Sequence, residues 1–260
     1  MGLKADLTSG EIVEQLIHAC RMFPIRNVVF MGMGEPLNNY AAVKSAIHLM
    51  THPQVFAIRR SSITVSTVGV IPRMKQLATD LPGVSLALSL HAPTQELRSK
   101  IVPSARAYPL EKILTAMDGY QKLTQQRIFI EYVLLGPDIN CTDAHARQLG
   151  ELLSNFRSVV VINLIPWNPI LSPTIDFVAP APGATEAFHS ILRHEYKLAC
   201  TVRQDKGQDV AAACGQLVIE HEKTLNGQSS KPADIEDLIK KSMCSTDKSD
   251  LYHKLESIAV

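Results

Sequence analysis

The sequence predicts an α/β protein built on a parallel sheet. Predicted strands and helices alternate five times or more along the chain, which is the pattern of repeated βαβ units. The strands are short apolar runs, as expected for strands covered on both faces. Right-handed crossovers would wind them into an open doubly wound sheet or a barrel, and periodicity does not choose between the two. In both folds, ligands bind at the carboxyl ends of the strands.

Composition narrows the class of protein. The 260 residues are 46% apolar and 20% charged, which is typical of a soluble globular protein with a sizeable core. The net charge of +1 gives no global basic field, and no run approaches 18 apolar residues. None of the five cysteines lies two or three residues from another, so neither a CxxC pair nor a disulfide framework is predicted. A reducing, intracellular compartment follows.

The first three elements have clear local signals. Thr8-Ser9-Gly10-Glu11 fits a capping box and should open a helix whose apolar face includes Ile17 and Cys20. Asn27 to Pro36 reads as a buried strand that stops at two glycines and then presents Glu35. Asn39 is expected to cap a second helix that ends near residue 53.

The remaining elements follow from apolar periodicity and turn residues. Further strands are predicted at 62–68, 84–90, 127–135, 159–165 and 200–203, and further helices at 72–81, 110–123, 142–156 and 185–198. Residues between 91 and 109 are expected to be irregular because Pro103 and Pro109 break them. Residues 1–225 form the predicted core domain, and 226–260 read as a linker followed by a charged, peripheral tail with one helix near 234–243.

Small polar residues recur where the predicted strands end. They are Gly34-Glu35, Ser66-Thr67, Ser89 to His91 and Trp167-Asn168. Because the carboxyl ends of parallel strands share one rim, these groups predict a ligand site there. These residues alone are also compatible with an unrelated α/β metabolic enzyme that binds a phosphate or amino-acid ligand at the same rim.

Five segments carry a resemblance to a known family. They are Gly32 to Pro36, Ile63 to Gly69, Leu88 to Pro93, Asn163 to Pro169 and Ala213 to Leu217. In this order they resemble the motifs of the RlmN/Cfr family of radical S-adenosylmethionine (SAM) RNA methyltransferases. The resemblance implies a partial (β/α) barrel of the radical SAM type.

The resemblance also implies roles for individual residues. Gly34 and Glu35 would hold the amino group of the SAM methionine, and a carboxylate suits an ammonium group. Further SAM contacts would come from Ser66, Ser89, Leu90 and His91, with Asn168 near the adenosine part. The structural alternatives are turn capping for the two serines and a hydrogen-bonded core residue for His91.

Cys214 is the candidate catalytic residue. By resemblance it would carry a methyl group from SAM to carbon 2 of an adenine in ribosomal or transfer RNA, and a second SAM, cleaved reductively at a 4Fe-4S cluster, would activate that methyl group. A thiolate is the nucleophilic form, so the cysteine must lose its proton. Arg203 and Lys206 are close in sequence and would favour the thiolate or contact RNA phosphate. The alternative for Cys214 is a small buried hydrophobe.

The sequence departs from the family in one respect. The family's cluster is held by a CxxxCxxC loop that should precede Met1, and no cysteine in the chain has that spacing, so no metal ligand is predicted here. The first barrel strand, the N-terminal RNA-binding part and a second catalytic cysteine are also absent. We therefore expect either an N-terminally truncated enzyme or a clusterless protein that binds SAM or RNA. For the family, the partners would be rRNA or tRNA and a flavodoxin- or ferredoxin-like reductant, without a membrane, in the cytoplasm or an organelle.

Overall fold

A computed structural model of the chain describes residues 5–31, 34–136, 139–167 and 177–203. Six strands form one sheet, and they are β1 (Val28–Phe30), β2 (Ile63–Thr67), β3 (Ser85–Ser89), β4 (Ile128–Leu134), β5 (Val160–Pro166) and β6 (Ala199–Val202). Seven α-helices occur in the described ranges: α1 (Ser9–Met22), α2 (Tyr40–Thr51), α3 (Ile71–Asp80), α4 (Gln95–Ile101), α5 (Leu110–Thr124), α6 (Asp143–Leu153) and α7 (Ala184–Ser190). The predicted alternation of strands and helices is confirmed.

The strand order decides between the two folds that periodicity left open. All neighbouring strands are parallel and the order is β1-β2-β3-β4-β5-β6. A doubly wound sheet reverses direction at a switch point, whereas a sheet that always adds strands on the same side keeps its crossovers on one face. The consecutive order is therefore that of a partial (β/α) barrel, and among the described residues no pairing joins β1 to β6.

The two faces of the sheet differ in chemistry. One set of alternating side chains is apolar and buried in the main core with the helices, as Val65, Leu88, Ile130 and Ile162 illustrate. Successive residues of a strand point to opposite faces. The other set is mixed and carries the polar side chains of the sheet, which include Thr64, Ser66, Ser89, Glu131, Asn163 and Thr201. We call this second surface the inner face, because in a (β/α) barrel the helices lie outside.

The N-terminal signals are partly confirmed. The Thr8 hydroxyl accepts a hydrogen bond from the Glu11 amide (3.2 Å), and the Glu11 carboxylate accepts one from the Thr8 amide (2.7 Å), which completes the capping box. Asn39 does occupy the N-cap position of α2, but its side chain makes no capping bond and its Nδ2 donates to the Leu7 carbonyl instead (2.7 Å). Ile17 and Cys20 are exposed, so the apolar face of α1 is narrower than predicted.

Three other predictions needed revision. β1 is not the buried strand expected from Asn27 to Pro36, because it spans only Val28–Phe30, and Val29 is 55% exposed. α4 lies within the region expected to be irregular. Its sequence has only two apolar residues in seven and therefore no apolar stripe, but Thr94 caps it by accepting from the Leu97 amide (3.3 Å). The last predicted helix is divided, since α7 ends at Ser190 and residues Ile191–Glu195 continue as a π-helix. The predicted helix near residue 234 and the domain boundary at 225 lie outside the described residues.

Candidate functional site

The Glu35 carboxylate joins the first two strand ends. Its Oε1 accepts a hydrogen bond from the Leu37 amide (3.0 Å), and its Oε2 accepts one from the Val68 amide just beyond β2 (2.8 Å). A carboxylate has about four acceptor positions, so these two bonds leave room for a donor from a ligand. Glu35 is therefore both a structural tie between β1 and β2 and a candidate ligand group.

Gly34 leaves the backbone beside Glu35 open. It has a φ of +72°, which an L side chain rarely adopts, and a Cβ placed on it would meet nothing within 4 Å. The glycine is thus required for backbone conformation and not to avoid a clash. Its exposed peptide remains accessible to a ligand.

Ser66 and Ser89 meet on the inner face. Their hydroxyl oxygens lie 3.3 Å apart, and Ser66 is almost fully buried. The turn after β2 is capped by a different residue, because Thr67 Oγ1 accepts from the amides of Gly69 (3.1 Å) and Val70 (3.4 Å). The alternative of turn capping therefore applies to Thr67, and the serine pair is left facing the interior of the partial barrel.

His91 is held as a neutral ring with a defined tautomer. Its Nδ1 accepts the Val133 amide (3.2 Å), so the proton of the neutral imidazole is on Nε2, which can donate to a ligand. Burial, with a further contribution from the Arg98 charge, lowers the pKa of His91 to about 4. The residue has a φ of +59°. This backbone is uncommon outside glycine and makes the end of β3 a specialised turn.

Leu90 has no free backbone polar group for a ligand contact. Its side chain is fully buried in the core, its amide donates to the Glu131 carbonyl (3.0 Å), and its carbonyl accepts from Arg98 Nε (3.1 Å). A SAM contact through Leu90 remains a prediction, but both of its backbone polar groups already have protein partners.

A row of polar side chains continues from Ser89 across the inner face. This row was not predicted from the sequence. Ser89, Glu131, Asn163 and Thr201 are partners in the strand register. Asn163 Nδ2 donates to Glu131 Oε1 (2.8 Å), and the Thr201 hydroxyl donates to Asn163 Oδ1 (2.8 Å). The available signal was a single polar residue inside each of three apolar runs, and Glu131 in Ile-Phe-Ile-Glu-Tyr-Val-Leu is the clearest case.

Glu131 and Arg203 give this row its charge. Burial raises the pKa of Glu131, while the bond from Asn163 and the positive charge of Arg203 act in the opposite direction. Arg203 follows β6, and its guanidinium reaches Met31 Sδ just after β1 (3.8 Å). The side chain therefore extends from one edge strand of the sheet to the end of the other.

Two predicted site residues, Asn168 and Cys214, lie outside the described residues. Within the described ranges, no group of three or more His, Cys, Asp or Glu side chains could hold a metal ion. Among the described cysteines, Cys20 is exposed and Cys141 and Cys200 are buried. No helix among the described residues is both long and apolar enough to cross a membrane.

Comparison with known proteins identifies relatives, although no protein-family model matches the chain. The chain is 41% identical over 231 residues to the probable dual-specificity RNA methyltransferase RlmN 2 of Protochlamydia amoebophila, covering 87% of this chain and 63% of that protein. It is 44% identical over 229 residues to the dual-specificity RNA methyltransferase RlmN of Alcanivorax borkumensis, covering 84% and 58% respectively. The chain is a homologue of the RlmN proteins.

A solved structure extends the RlmN relationship to the fold. The chain matches a radical SAM methyltransferase from Sphaerobacter thermophilus with a TM-score of 0.78 and 39% sequence identity, covering 83% of this chain and 63% of that one. The predicted fold class, a partial barrel of the radical SAM type, is therefore confirmed. The RlmN homologue spans about 60% of the length of the two curated relatives and of the solved chain.

Proposed function

We propose that this chain provides the SAM-binding core of an RNA methyltransferase that methylates carbon 2 of adenine in ribosomal or transfer RNA. The observation that carries the proposal is 41% identity to an RlmN protein over 231 residues. The rim geometry supports it, because the chain presents a carboxylate, a hydroxyl pair and an imidazole N–H at the carboxyl ends of consecutive parallel strands. An RNA substrate follows from the names of the relatives, and a flavodoxin- or ferredoxin-like reductant remains a prediction.

The rim residues fit SAM. Glu35 has acceptor capacity beyond its two backbone bonds, and the space above Gly34 is open, which suits the ammonium group of the methionine part. Ser66, Ser89 and the Nε2–H of His91 offer further polar contacts from the next two strands. Asn168 is assigned to the adenosine part by the resemblance. When bound, SAM would supply an electrophilic methyl group.

Cys214 is the proposed methyl carrier. A thiolate is a far better nucleophile than a thiol, so the role requires Cys214 to lose its proton before it accepts the methyl group. Arg203, eleven residues earlier in the sequence, brings a positive charge to the mouth of the partial barrel. A nearby cation lowers a thiol pKa, and we propose that Arg203 and Lys206 assist Cys214 in this way.

The described residues do not fit a 4Fe-4S cluster. They contain no group of at least three potential metal ligands, and no cysteine triplet in the whole sequence has the CxxxCxxC spacing. We propose that the cluster ligands come from outside these 260 residues. The second candidate function, favoured by the same observation, is a protein that binds SAM or RNA without a cluster and without catalysis.

The experiment is a Cys214→Ala substitution at the native locus, followed by mass spectrometry of total rRNA and tRNA from the cells. The proposal expects 2-methyladenosine at the target positions to disappear. Cys20→Ala is the matched control, because that exposed cysteine on α1 has no assigned role. Methylated RNA at the wild-type level in the Cys214→Ala cells would contradict the assigned role, and its absence in wild-type cells would support the non-catalytic alternative.

A further inference from the structure

Arg98 is a fully buried cation whose polar partners are backbone groups. It is the largest fully buried side chain among the described residues, with 0% exposure. In the part of the chain that the structure describes, its guanidinium donates to four carbonyl oxygens and forms no ion pair with a carboxylate. A buried charge is costly to desolvate, and neutral carbonyls compensate it less than a carboxylate would. This arrangement is unusual for a residue that only fills space.

Three of the four carbonyls belong to the segments that build the rim, and the fourth, that of Tyr108, precedes α5. Nη2 donates to Val68 just after β2 (2.6 Å) and to Ser89 at the end of β3 (3.3 Å). Nε donates to Leu90 (3.1 Å), and Nη1 makes a longer contact with Tyr108 (3.5 Å). The planar guanidinium therefore connects the ends of the neighbouring strands β2 and β3 through their backbone carbonyls.

The residues that Arg98 holds at the strand ends, Val68, Ser89 and Leu90, belong to or adjoin candidate ligand groups. The Val68 amide donates to Glu35 Oε2, so the position of the Val68 peptide sets the position of that carboxylate. Ser89 and Leu90 lead into the left-handed turn at His91, whose carbonyl is held by Asn140 Nδ2 (2.9 Å). Movement of either peptide would displace a group that faces the ligand.

We propose that Arg98 is a positioning residue that holds the ends of β2 and β3 in the arrangement that binds the cofactor. The hydrogen bonds of Arg98 support its positioning role, whereas the identity of the cofactor as SAM rests on the proposed function. The planar guanidinium suits the role because it presents several N–H groups in fixed directions, whereas a lysine ammonium is a single point that cannot span both strands equally well.

The first test asks, without any ligand, whether Arg98 protects the backbone amides at the ends of β2 and β3. Arg98→Lys and Arg98→Gln are compared with wild type by amide hydrogen exchange under conditions where circular dichroism shows all three to be folded. We expect the Val68, Leu90 and Val133 amides to exchange at least tenfold faster in Arg98→Gln, with an intermediate effect in Arg98→Lys.

Arg60→Gln is the matched control for this measurement. Arg60 also donates to a loop carbonyl, that of Pro82 (3.1 Å), but it lies at the amino-terminal end of β2. It should leave the three rim amides unchanged. Unchanged exchange at these amides in Arg98→Lys and Arg98→Gln would overturn the proposal. If Arg98→Gln does not fold, Arg98→Lys decides the outcome alone.

The second test measures SAM affinity of the full 260-residue chain by calorimetry. We expect Arg98→Lys to weaken binding about threefold to tenfold and Arg98→Gln by more than tenfold, while Arg60→Gln binds like wild type. Equal SAM affinity in all four proteins would overturn the positioning role. Failure of the wild type to bind SAM would instead count against the proposed function, and the exchange experiment would still decide whether Arg98 ties the strands.

Discussion

At the scale of single residues, burial at the rim keeps the charge state of His91 fixed. The ring accepts the Val133 amide through Nδ1, and its pKa of about 4 lies well below the ordinary value of 6.5. The imidazole is therefore neutral at physiological pH, and protonation would break the bond from Val133, because a protonated ring has no acceptor. This arrangement suits a hydrogen-bond donor of constant charge, not a pH sensor.

The sign of the His91 shift predicts acid destabilisation. Because the pKa is lower in the folded state, the unfolded chain binds more protons between pH 6.5 and 4, so the free energy of unfolding falls as pH falls through that range. At pH 5 the expected loss from this residue is about 2 kcal/mol relative to pH 7.5. Urea denaturation at both pH values measures it.

The test variant for this prediction is His91→Asn. Asparagine tolerates the left-handed backbone and can accept the Val133 amide through Oδ1, but it does not titrate. The variant should lose about 2 kcal/mol less than wild type between the two pH values. The control is His48→Asn on the exposed side of α2, which should retain the wild-type dependence. Identical pH dependence in wild type and His91→Asn would show that His91 is not the responsible group.

At the scale of secondary structure, the sequence predicted best where a local signal coincided with burial. The Thr8 capping box and the apolar runs of β2 to β5 were recognisable because capping bonds and core packing depend on nearby residue types. α4 was missed because it has no apolar stripe, and its buried residue, Arg98, is held by carbonyls that lie just beyond β2 and β3. Gly34 and Glu35 could be selected as candidate site residues from a local glycine turn, whereas the Asn163–Glu131 bond depends on strand register, which a single sequence does not reveal.

At two glycines inside helices, substitution by alanine is predicted to change the free energy of unfolding in opposite directions. A Cβ added at Gly119 in α5 would have no atom within 4 Å, so Gly119→Ala should raise the free energy of unfolding by up to about 1 kcal/mol through helix propensity. Gly150 in α6 faces the ring of Tyr196, which a Cβ would overlap. Gly150→Ala should therefore lower stability by about 1–3 kcal/mol despite the same gain in propensity. Chemical denaturation of both variants measures this.

The double variant Gly150→Ala with Tyr196→Ala serves as the control for that pair of substitutions. Removing the ring should relieve the overlap, so Gly150→Ala should cost less in the Tyr196→Ala background than in wild type. An equal cost in both backgrounds would mean that the loss does not arise from this contact.

At the scale of the whole molecule, the sheet joins a helix-covered apolar face to a polar inner face. The consecutive strand order brings each carboxyl end to the same rim. The register then aligns Ser89, Glu131, Asn163 and Thr201 in one row across four strands. The candidate cofactor site thus depends on topology, while the ligands of an iron–sulfur cluster would have to come from a cysteine motif that the sequence does not contain.

Because the sequence lacks that cysteine motif, we predict that the 260-residue chain will not assemble a 4Fe-4S cluster by itself. Cys141 and Cys200 are buried, and burial raises the pKa of the Cys200 thiol to about 12, which opposes the thiolate form that binds iron. Cys20 is exposed but belongs to no group of potential metal ligands among the described residues. After anaerobic reconstitution with iron and sulfide and removal of excess reagents, we expect no cluster absorbance and no stoichiometric iron, in contrast to about four irons per chain for a [4Fe–4S] protein. The Cys214→Ser variant, treated in the same way, measures adventitious iron. Four irons and four sulfides per wild-type chain, absent from Cys214→Ser, would show that the chain carries cluster ligands after all and would place Cys214 among them instead of in the methyl-carrier role.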